Sequence, residues 1–483
     1  MKKRFLAAIS LLMTALPLLG QSFQEAMFLD SYRLAYRYNP ALGSNGGFVG
    51  IGEWNNLTRN NIGASCFLYP TKNGGLVTAL HHSVPESTFL GSLKDINRVE
   101  NAININLFAY GWKSSGGDDA ADPNAERHSY GICSDRGSAT GAHNSGDYCT
   151  LEANIRTITR FAFPKTIFQI LKSGTGLATY DASGIEMGAK AYVEIAYGRS
   201  RRISEDISIG GRAKVLAGIA SLNYNITRFD LAFSESEYSA AIEAGFDLTD
   251  RSVKFGTDAE GYLNPFDLKM NNRTELPAGG GVAFDFGVAM TPAEGLTIAA
   301  SIVDLGAIAW YYGNAGQSSG NVRFTGLSGL SYEEIKGGEI SGSLKGLRDD
   351  FANSLKIKGT ERRFRLEAIP FTLNLAARWE LPFHRPLSAG LTCSYAGLTP
   401  FIYKECRMTL AWNPGARLGI AGNIGYGDLG MVGALALSIA IHKFNITASL
   451  ENGFGRNVPD LDIPLKANSK LATIGLTYNL EIK

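Results

Sequence analysis

The chain has 483 residues, with 46 Lys and Arg against 45 Asp and Glu and a formal net charge of +1 at pH 7. That balance excludes the strongly basic surface a nucleic-acid partner requires. Five cysteines (Cys66, Cys133, Cys149, Cys393, Cys406) exclude a disulfide scaffold, and their odd number leaves at least one thiol free or paired with another chain.

Residues 1–20, MKKRFLAAISLLMTALPLLG, place Lys2, Lys3 and Arg4 before an apolar run broken by Pro17 and ending in a small residue. This is the pattern of a secretory signal peptide. The run is shorter than the roughly 20 residues of a spanning helix, which weighs against a retained anchor. Removing the three basic residues of the leader leaves 43 Lys and Arg against 45 Asp and Glu. Past residue 20 no stretch approaches 18 consecutive apolar residues, so helical membrane spans are not expected. Residues 21–46 are aromatic-rich but irregular, without the period of a strand or a helix.

From Gly47 onward apolar residues recur at every second position in one segment after another. Lys113 to Cys149 interrupts the pattern as the most polar stretch in the chain, a long loop between two strands. A Cys133–Cys149 disulfide is expected to close it, worth about 3 kcal/mol in the chain-entropy model. Its Asp118, Asp119, Asp122, Glu126 and His128 follow no recognised ligand spacing and read as a solvated loop. Pro164 to Lys172 has Pro at a helix start and apolar residues at Ile167, Ile170 and Leu171, which predicts a short interfacial or plug helix.

In GVAFDFGVAM, Val282, Phe284, Phe286, Val288 and Met290 point one way, while Gly281, Ala283, Asp285, Gly287 and Ala289 point the other. The next segment, TIAASIVDLGAIAW (Thr297 to Trp310), begins with Ile298, Ala300 and Ile302 on the apolar face, a phase that would drive Asp304 into that face. A one-residue bulge or kink between Ile302 and Gly306 is therefore predicted, turning Asp304 inward and Val303 and Leu305 outward. The alternative is that Asp304 merely sits at a membrane interface. Ser331 to Lys356, within a loop set at 328–358, reads as broken amphipathic helix on the extracellular side.

Alternation resumes in FTLNLAARWE, RLGIAGNIGY, ALALSIAIH and IGLTYNLEI. Cys393 and Cys406 both fall on the apolar phase of neighbouring strands, where unpaired lipid-facing thiols are expected rather than a cross-strand bridge. GYGDLG (Gly425 to Gly430) matches a phosphate-loop spacing, but an alternating strand follows it instead of a helix, so it reads as a hairpin turn. His81 and His82 are adjacent, and on a strand adjacent residues face opposite ways, so they share no metal. Arg362, Arg363 and Arg365 form a basic cluster ahead of a strand, read as a solvated strand end or a contact to lipid phosphate. No catalytic or metal motif appears, and no enzyme activity, metal or cofactor is expected.

A β-sandwich would also alternate, with its polar faces in water. The length of the strands, the short turns (Asn413 to Gly415, Gly427 to Gly430) and Trp and Tyr near strand ends favour a membrane barrel. An open edge in hydrocarbon would strand backbone N–H and C=O groups, so the sheet must close. The expected fold is all-β, a closed antiparallel transmembrane β-barrel of about 14 strands over residues 47–483 with a few short helices. Lys190, Glu194, Arg212, Lys214, Asp285, Arg378, Glu380, Glu405 and Arg407 fall on the lumenal phase.

The blocks YRLAYRYNPAL, TALHHSVPESTFLGSL, PKTIFQILKSG, EIAYGRSRRISEDISIGGRAKVLAG and SIVDLGAIAW resemble, in order and over most of the chain, an outer-membrane barrel family from Bacteroidota catalogued as a domain of unknown function. That family is distantly similar to long-chain fatty-acid transporter barrels and to the barrels that shuttle cargo in type IX secretion. The resemblance implies an integral outer-membrane location, 14 strands, and a lumen plug carrying an early hatch motif, here Asn39, Pro40 and Ala41. Residues 21–46 are expected to be that plug.

Two functions follow as expectations. The first is passive transport of a hydrophobic small molecule through the plugged barrel, with a kink at Asp304 and Gly306 opening the wall sideways to lipid. The second is a scaffold or shuttle role, with long loops binding an envelope protein partner in surface-protein export.

Overall fold

A strand that meets lipid on one face and a packed lumen on the other keeps apolar side chains outside and polar or small ones inside. In the computed structural model nearly every long strand does so. It describes residues 24–44, 46–71, 75–114, 147–174, 176, 178–235, 237–250, 253–270, 277–324, 356–398, 400–415, 417–453 and 468–480. The sequence-predicted leader, Cys133 and the helix placed at Ser331 to Lys356 lie largely or wholly outside these residues.

The strands, in chain order, are β1 (Phe48–Asn60), β2 (Leu68–Pro70), β3 (Leu76–Thr78), β4 (Ile96–Ser114), β5 (Asp147–Pro164), β6 (Thr179–Asp181) and β7 (Ile185–Arg202). Then come β8 (Ile207–Phe233), β9 (Tyr238–Thr249), β10 (Val253–Thr257), β11 (Leu263–Met270), β12 (Gly279–Ala293), β13 (Leu296–Phe324) and β14 (Lys358–Ala368). The series ends with β15 (Phe371–Glu380), β16 (Leu387–Leu398), β17 (Phe401–Gly415), β18 (Leu418–Gly427), β19 (Gly430–Ile441), β20 (Phe444–Gly453) and β21 (Asn468–Asn479). One sheet holds 17 of them. Within it β6 with β7, β9 with β12, and β14 with β15 succeed each other along single staves, because each pair shares its neighbouring strand. The wall is thus a closed barrel of 14 antiparallel staves, shut where β1 pairs with both β21 and β4.

On β12, Val282, Phe284, Phe286, Val288 and Met290 are exposed, while Ala283, Asp285 and Ala289 are buried. On β7 the outward residues run from Met187 to Tyr197, roughly 25 Å along the barrel axis at the usual rise and tilt, the height of a membrane-facing apolar band. Aromatic residues mark both edges of the band. Trp112, Tyr197, Trp379, Trp412 and Phe444 lie toward the end that carries Phe48 and Asn479 (the near end), and Phe161, Tyr395 and Tyr426 toward the far end. GYGDLG forms the β18–β19 hairpin, with Gly427 opposite Gly430.

Several expectations need correcting. Cys393 and Cys406 form a disulfide rather than two free thiols. Parity put both outside, but only the register shows that they stand directly opposite each other, with Cα atoms 4.1 Å apart. The predicted helix is α2 (Lys165–Ser173), which follows α1 (Glu86–Gly91), and it is no lumen plug: Phe168 packs on Phe67, Phe89 and Phe163 at the far end. His81 and His82 lie in a turn, so strand alternation does not separate them, and their rings sit 4.2 Å apart. Arg365 lies within β14 and pairs with Asp247 and Glu367 inside the barrel, rather than capping a solvated strand end.

The assignment of faces makes a prediction. Leu375→Arg, mid-strand on the outer face, should destabilise the barrel by about 2–4 kcal/mol in lipid-bilayer refolding titrations. Leu375→Ile, which keeps the same outward position apolar, should change stability by less than about 1 kcal/mol.

Candidate functional site

Residues 24–44 run through the lumen, mostly as turns with short 3-10 segments at Gln24–Met27 and Ala35–Arg37. Their apolar side chains, Met27, Phe28, Leu29, Leu34, Tyr36 and Leu42 among them, are fully or nearly fully buried. They pack against a ring of inward alanines from the wall: Ala109, Ala289, Ala299, Ala376, Ala411, Ala421 and Ala436. Small inward residues leave the lumen wide enough to hold a peptide segment, and filling it buries apolar surface that would otherwise face water.

An irregular segment has no ladder of its own, so its backbone groups need partners on the wall. Asn413 donates to the Phe28 carbonyl at 2.9 Å, Arg378 to the Met27 carbonyl at 3.1 Å, and Ser301 to the Tyr38 carbonyl at 2.7 Å. Asn39 works in the opposite direction. Its Nδ2 donates to the carbonyls of Val288 and Ala300 at 3.1 and 3.0 Å, and its Oδ1 accepts from the Ala41 N–H at 2.9 Å. Pro40 rests on Gly210 so closely that a Cβ there would strike its carbonyl. Asn39, Pro40 and Ala41 thus form a tight turn seated on the β8–β12–β13 wall.

Arg37 connects the lumenal segment to the charges of the wall. It donates to Glu53 at 2.6 Å and to Glu152 at 2.9 Å. Glu152 also pairs with Arg212, Arg212 with Asp285 (3.0 Å), Asp285 with Lys214 (2.7 Å), Lys214 with Asp304, Asp304 with Arg156 (2.8 Å), and Arg156 with Glu194 (3.1 Å). Signs alternate along the whole chain, from Glu53 to Glu194. Tyr32 and Tyr36 add hydroxyl hydrogen bonds to Glu53 and Glu152, each at 2.9 Å.

Asp304 occupies an unusual backbone position. Its φ is +66°, a left-handed value rare for a non-glycine residue in a strand. It sits where the β12–β13 register shifts, and its N–H donates to Asp285 Oδ1 at 2.7 Å. Val303 and Asp304 are both buried, so the phase reverses between them. Val303 was expected to face lipid, but it points into the lumen because the reversal comes one residue later than parity suggested; Leu305 is exposed. Across from this point the β13 ladder is interrupted. Val303 pairs with Thr372 on β15, and pairing resumes only at Ala307 with Ala368 on β14. The Ile369 N–H donates to the Gly306 carbonyl at 3.0 Å within the gap. Gly306 is packed so tightly on Val282 and Ala283 that a side chain would not fit.

A cavity of about 80 Å3, partly open to solvent, lies between these parts. It touches Tyr32, Leu34 and Arg37 of the lumenal segment and Val303, Asp304 and Thr372 beside the interrupted ladder. Cys149 is a buried free thiol whose sulfur accepts a contact from the Tyr197 hydroxyl at 3.5 Å; Cys133 lies outside the described residues.

Arg37, Glu53, Glu152 and Arg156 were not singled out from the sequence. A signal was present: in EANIR, Glu152, Asn154 and Arg156 repeat polar groups at every second position, as Glu53 and Asn55 do on β1.

Two outcomes are expected. Arg37→Ala leaves Glu53 and Glu152 short of a counter-charge and should weaken docking of residues 24–44 by about 3–5 kcal/mol, read as faster hydrogen exchange in that segment. Burial pushes Glu25 from 4.5 up to about 7. The docked state therefore binds the extra proton, so docking is fully favoured below about pH 4.5 and weakens as pH rises through about 7. The protection factor of the segment, which removes the intrinsic pH dependence of amide exchange, should fall over that window in the wild type but not in Glu25→Gln.

Among solved structures, a Pseudomonas aeruginosa FadL homologue aligns over 96% of this chain and 99% of its own, with TM-score 0.45 and 10% identity. The Ralstonia pickettii toluene transporter TbuX aligns over 93% and 95%, with TM-score 0.43 and 8% identity. The P. putida toluene transporter TodX aligns over 93% and 95%, with TM-score 0.39 and 8% identity. No curated protein matches the chain. Residues 136–450 match the model described as a family of unknown function, DUF5723.

Proposed function

The chain belongs to the DUF5723 family of unknown function, and from its geometry we propose that it is an outer-membrane barrel for passive transport of a hydrophobic small molecule. One observation carries the reading. The cavity beside the lumenal segment reaches the stretch of wall where the ladder is interrupted at Asp304 to Gly306. In this reading residues 21–46 act as a plug that blocks a straight aqueous route, and a molecule held beside it leaves sideways into lipid. The interrupted ladder favours parting the wall there, since hydrocarbon offers no replacement for broken backbone hydrogen bonds. Apart from residues 115–146, the near-end connections are short and several far-end ones are longer, which supports a near end on the periplasmic side in this reading. The surrounding partner is outer-membrane lipid.

A second reading, a scaffold binding an envelope protein partner, draws on the far-end unit of β2, β3, α1 and α2, where Leu76, Leu80 and Leu171 are exposed beside a small apolar core.

Cross-linking the gap distinguishes the two. Leu305 and Pro370 stand opposite each other midway between the last and first ladder pairs. In cells carrying Leu305→Cys with Pro370→Cys, uptake of radiolabelled toluene, decanol or decanoate should fall to the barrel-free level on oxidation and recover on reduction. Uptake that never exceeds the barrel-free level in the wild type would remove the transport reading and leave the scaffold.

A further inference from the structure

We infer that the far-end unit of β2, β3, α1 and α2 rests on the membrane, with Leu80 and Leu171 set into the leaflet beside the barrel rim. The inference is independent of the transport reading, and the partner it assigns to this surface is lipid.

The place where α2 leaves the wall carries this. On β5 the side chains of Arg160 and Ala162 point inward, Arg160 to Glu100 at 2.7 Å, so Phe161 and Phe163 lie on the outer face. Phe161 stands opposite Met187, where the outward apolar band of β7 begins. From there the rings follow one another without a break: Phe161 to Phe163 at 5.1 Å, Phe163 to Phe168 of α2 at 5.5 Å, and Phe168 to Phe67 at 5.3 Å. The unit is therefore attached to the outside of the rim, not laid over the lumen. Pro164, the residue before α2, lies about 7 Å beyond Phe161 along the barrel axis at the usual rise and tilt. The headgroup layer on one side of a bilayer is about 5–7 Å thick, so α2 begins at that layer.

The helix presents more apolar surface than the unit covers. Ile167, Phe168, Ile170 and Leu171 share one arc at helical spacing, and Lys165, Gln169 and Lys172 lie on the other. Phe168 packs into the aromatic cluster, while Leu171 is 59% exposed, with Leu80 at 51% and Leu76 at 68%. Lys172 donates to the carbonyls of Ala79 and His81 at 2.8 and 2.7 Å, which holds Leu80, between them, beside the end of α2 that carries Leu171. Lys165 pairs with Asp95 at 3.2 Å. Anchored at both ends, α2 cannot rotate to hide Leu171. An interfacial amphipathic helix buries its apolar face about 5–10 Å into the boundary of headgroups and acyl chains, a depth within reach of the rim. Continuity with the lipid-facing wall selects lipid over a protein as the cover for these leucines.

Photo-cross-linking reads the partner directly. Cells expressing the full chain with p-benzoylphenylalanine in place of Leu171 are irradiated, and the purified chain is weighed by mass spectrometry. The same is done at Leu80 and, as a benchmark in hydrocarbon, at Leu375. Lipid adducts at positions 171 and 80 should reach at least about half the yield at 375. A protein adduct at 171 and 80, or no adduct there while 375 acquires lipid, overturns the inference. In phosphatidylcholine nanodiscs, Leu171→Ser should also lower the exchange protection of Lys165–Ser173 by about tenfold. A change below about twofold, as expected of a side chain already in water, overturns it equally.

Discussion

A charge taken out of water has to meet its counter-charge, and in this barrel nine of them do so along a single line from Glu53 to Glu194. The line crosses from β1 through the lumenal segment at Arg37, then over β5, β8, β12, β13 and back to β5 and β7. Losing Arg37 or Arg156 takes the ion-pair partner from the carboxylate at one end of the line, and losing any other member leaves its neighbours with one partner in place of two. The position of the segment in the lumen, the inward turn of Asp304 and the break in the β13 ladder are therefore linked. The left-handed backbone at Asp304 is held because Arg156, Lys214 and the Asp285 carboxylate all bond to that residue.

Packing supplies the second half of the arrangement. The alanine ring does not attract the lumenal segment by itself; it leaves room for Phe28, Leu34 and Tyr36, and burial does the rest. Polar and apolar contacts then act on different parts of the segment. Arg378, Asn413 and Ser301 hold its carbonyls, Asn39 reaches wall carbonyls in return, and Arg37 joins the charges. Because these groups belong to many staves, a local change in the wall is felt by the segment as a whole.

The barrel was legible because period-two alternation is a direct consequence of having lipid on one side, and β12, β15 and β18 display it without interruption. The lumenal phase of Lys190, Glu194, Arg212, Lys214, Asp285, Arg378 and Arg407 was equally plain, and all seven are buried. What parity cannot supply is register. Cys393 opposite Cys406, Arg37 between Glu53 and Glu152, and Asp304 between Arg156 and Lys214 are pairings between distant parts of the chain. Nor could it fix the residue at which the phase reverses: Val303 turned inward because Asp304, not its predecessor, takes the left-handed conformation.

The central claim is that the lumen is closed by a charge-locked segment and that passage is through the wall. Planar-bilayer conductance of the intact chain tests it most directly. The account predicts no steady ionic current at moderate voltage, since the packed segment and its ion pairs occupy the lumen. A persistent conductance of the size expected for an open barrel of this width would contradict it.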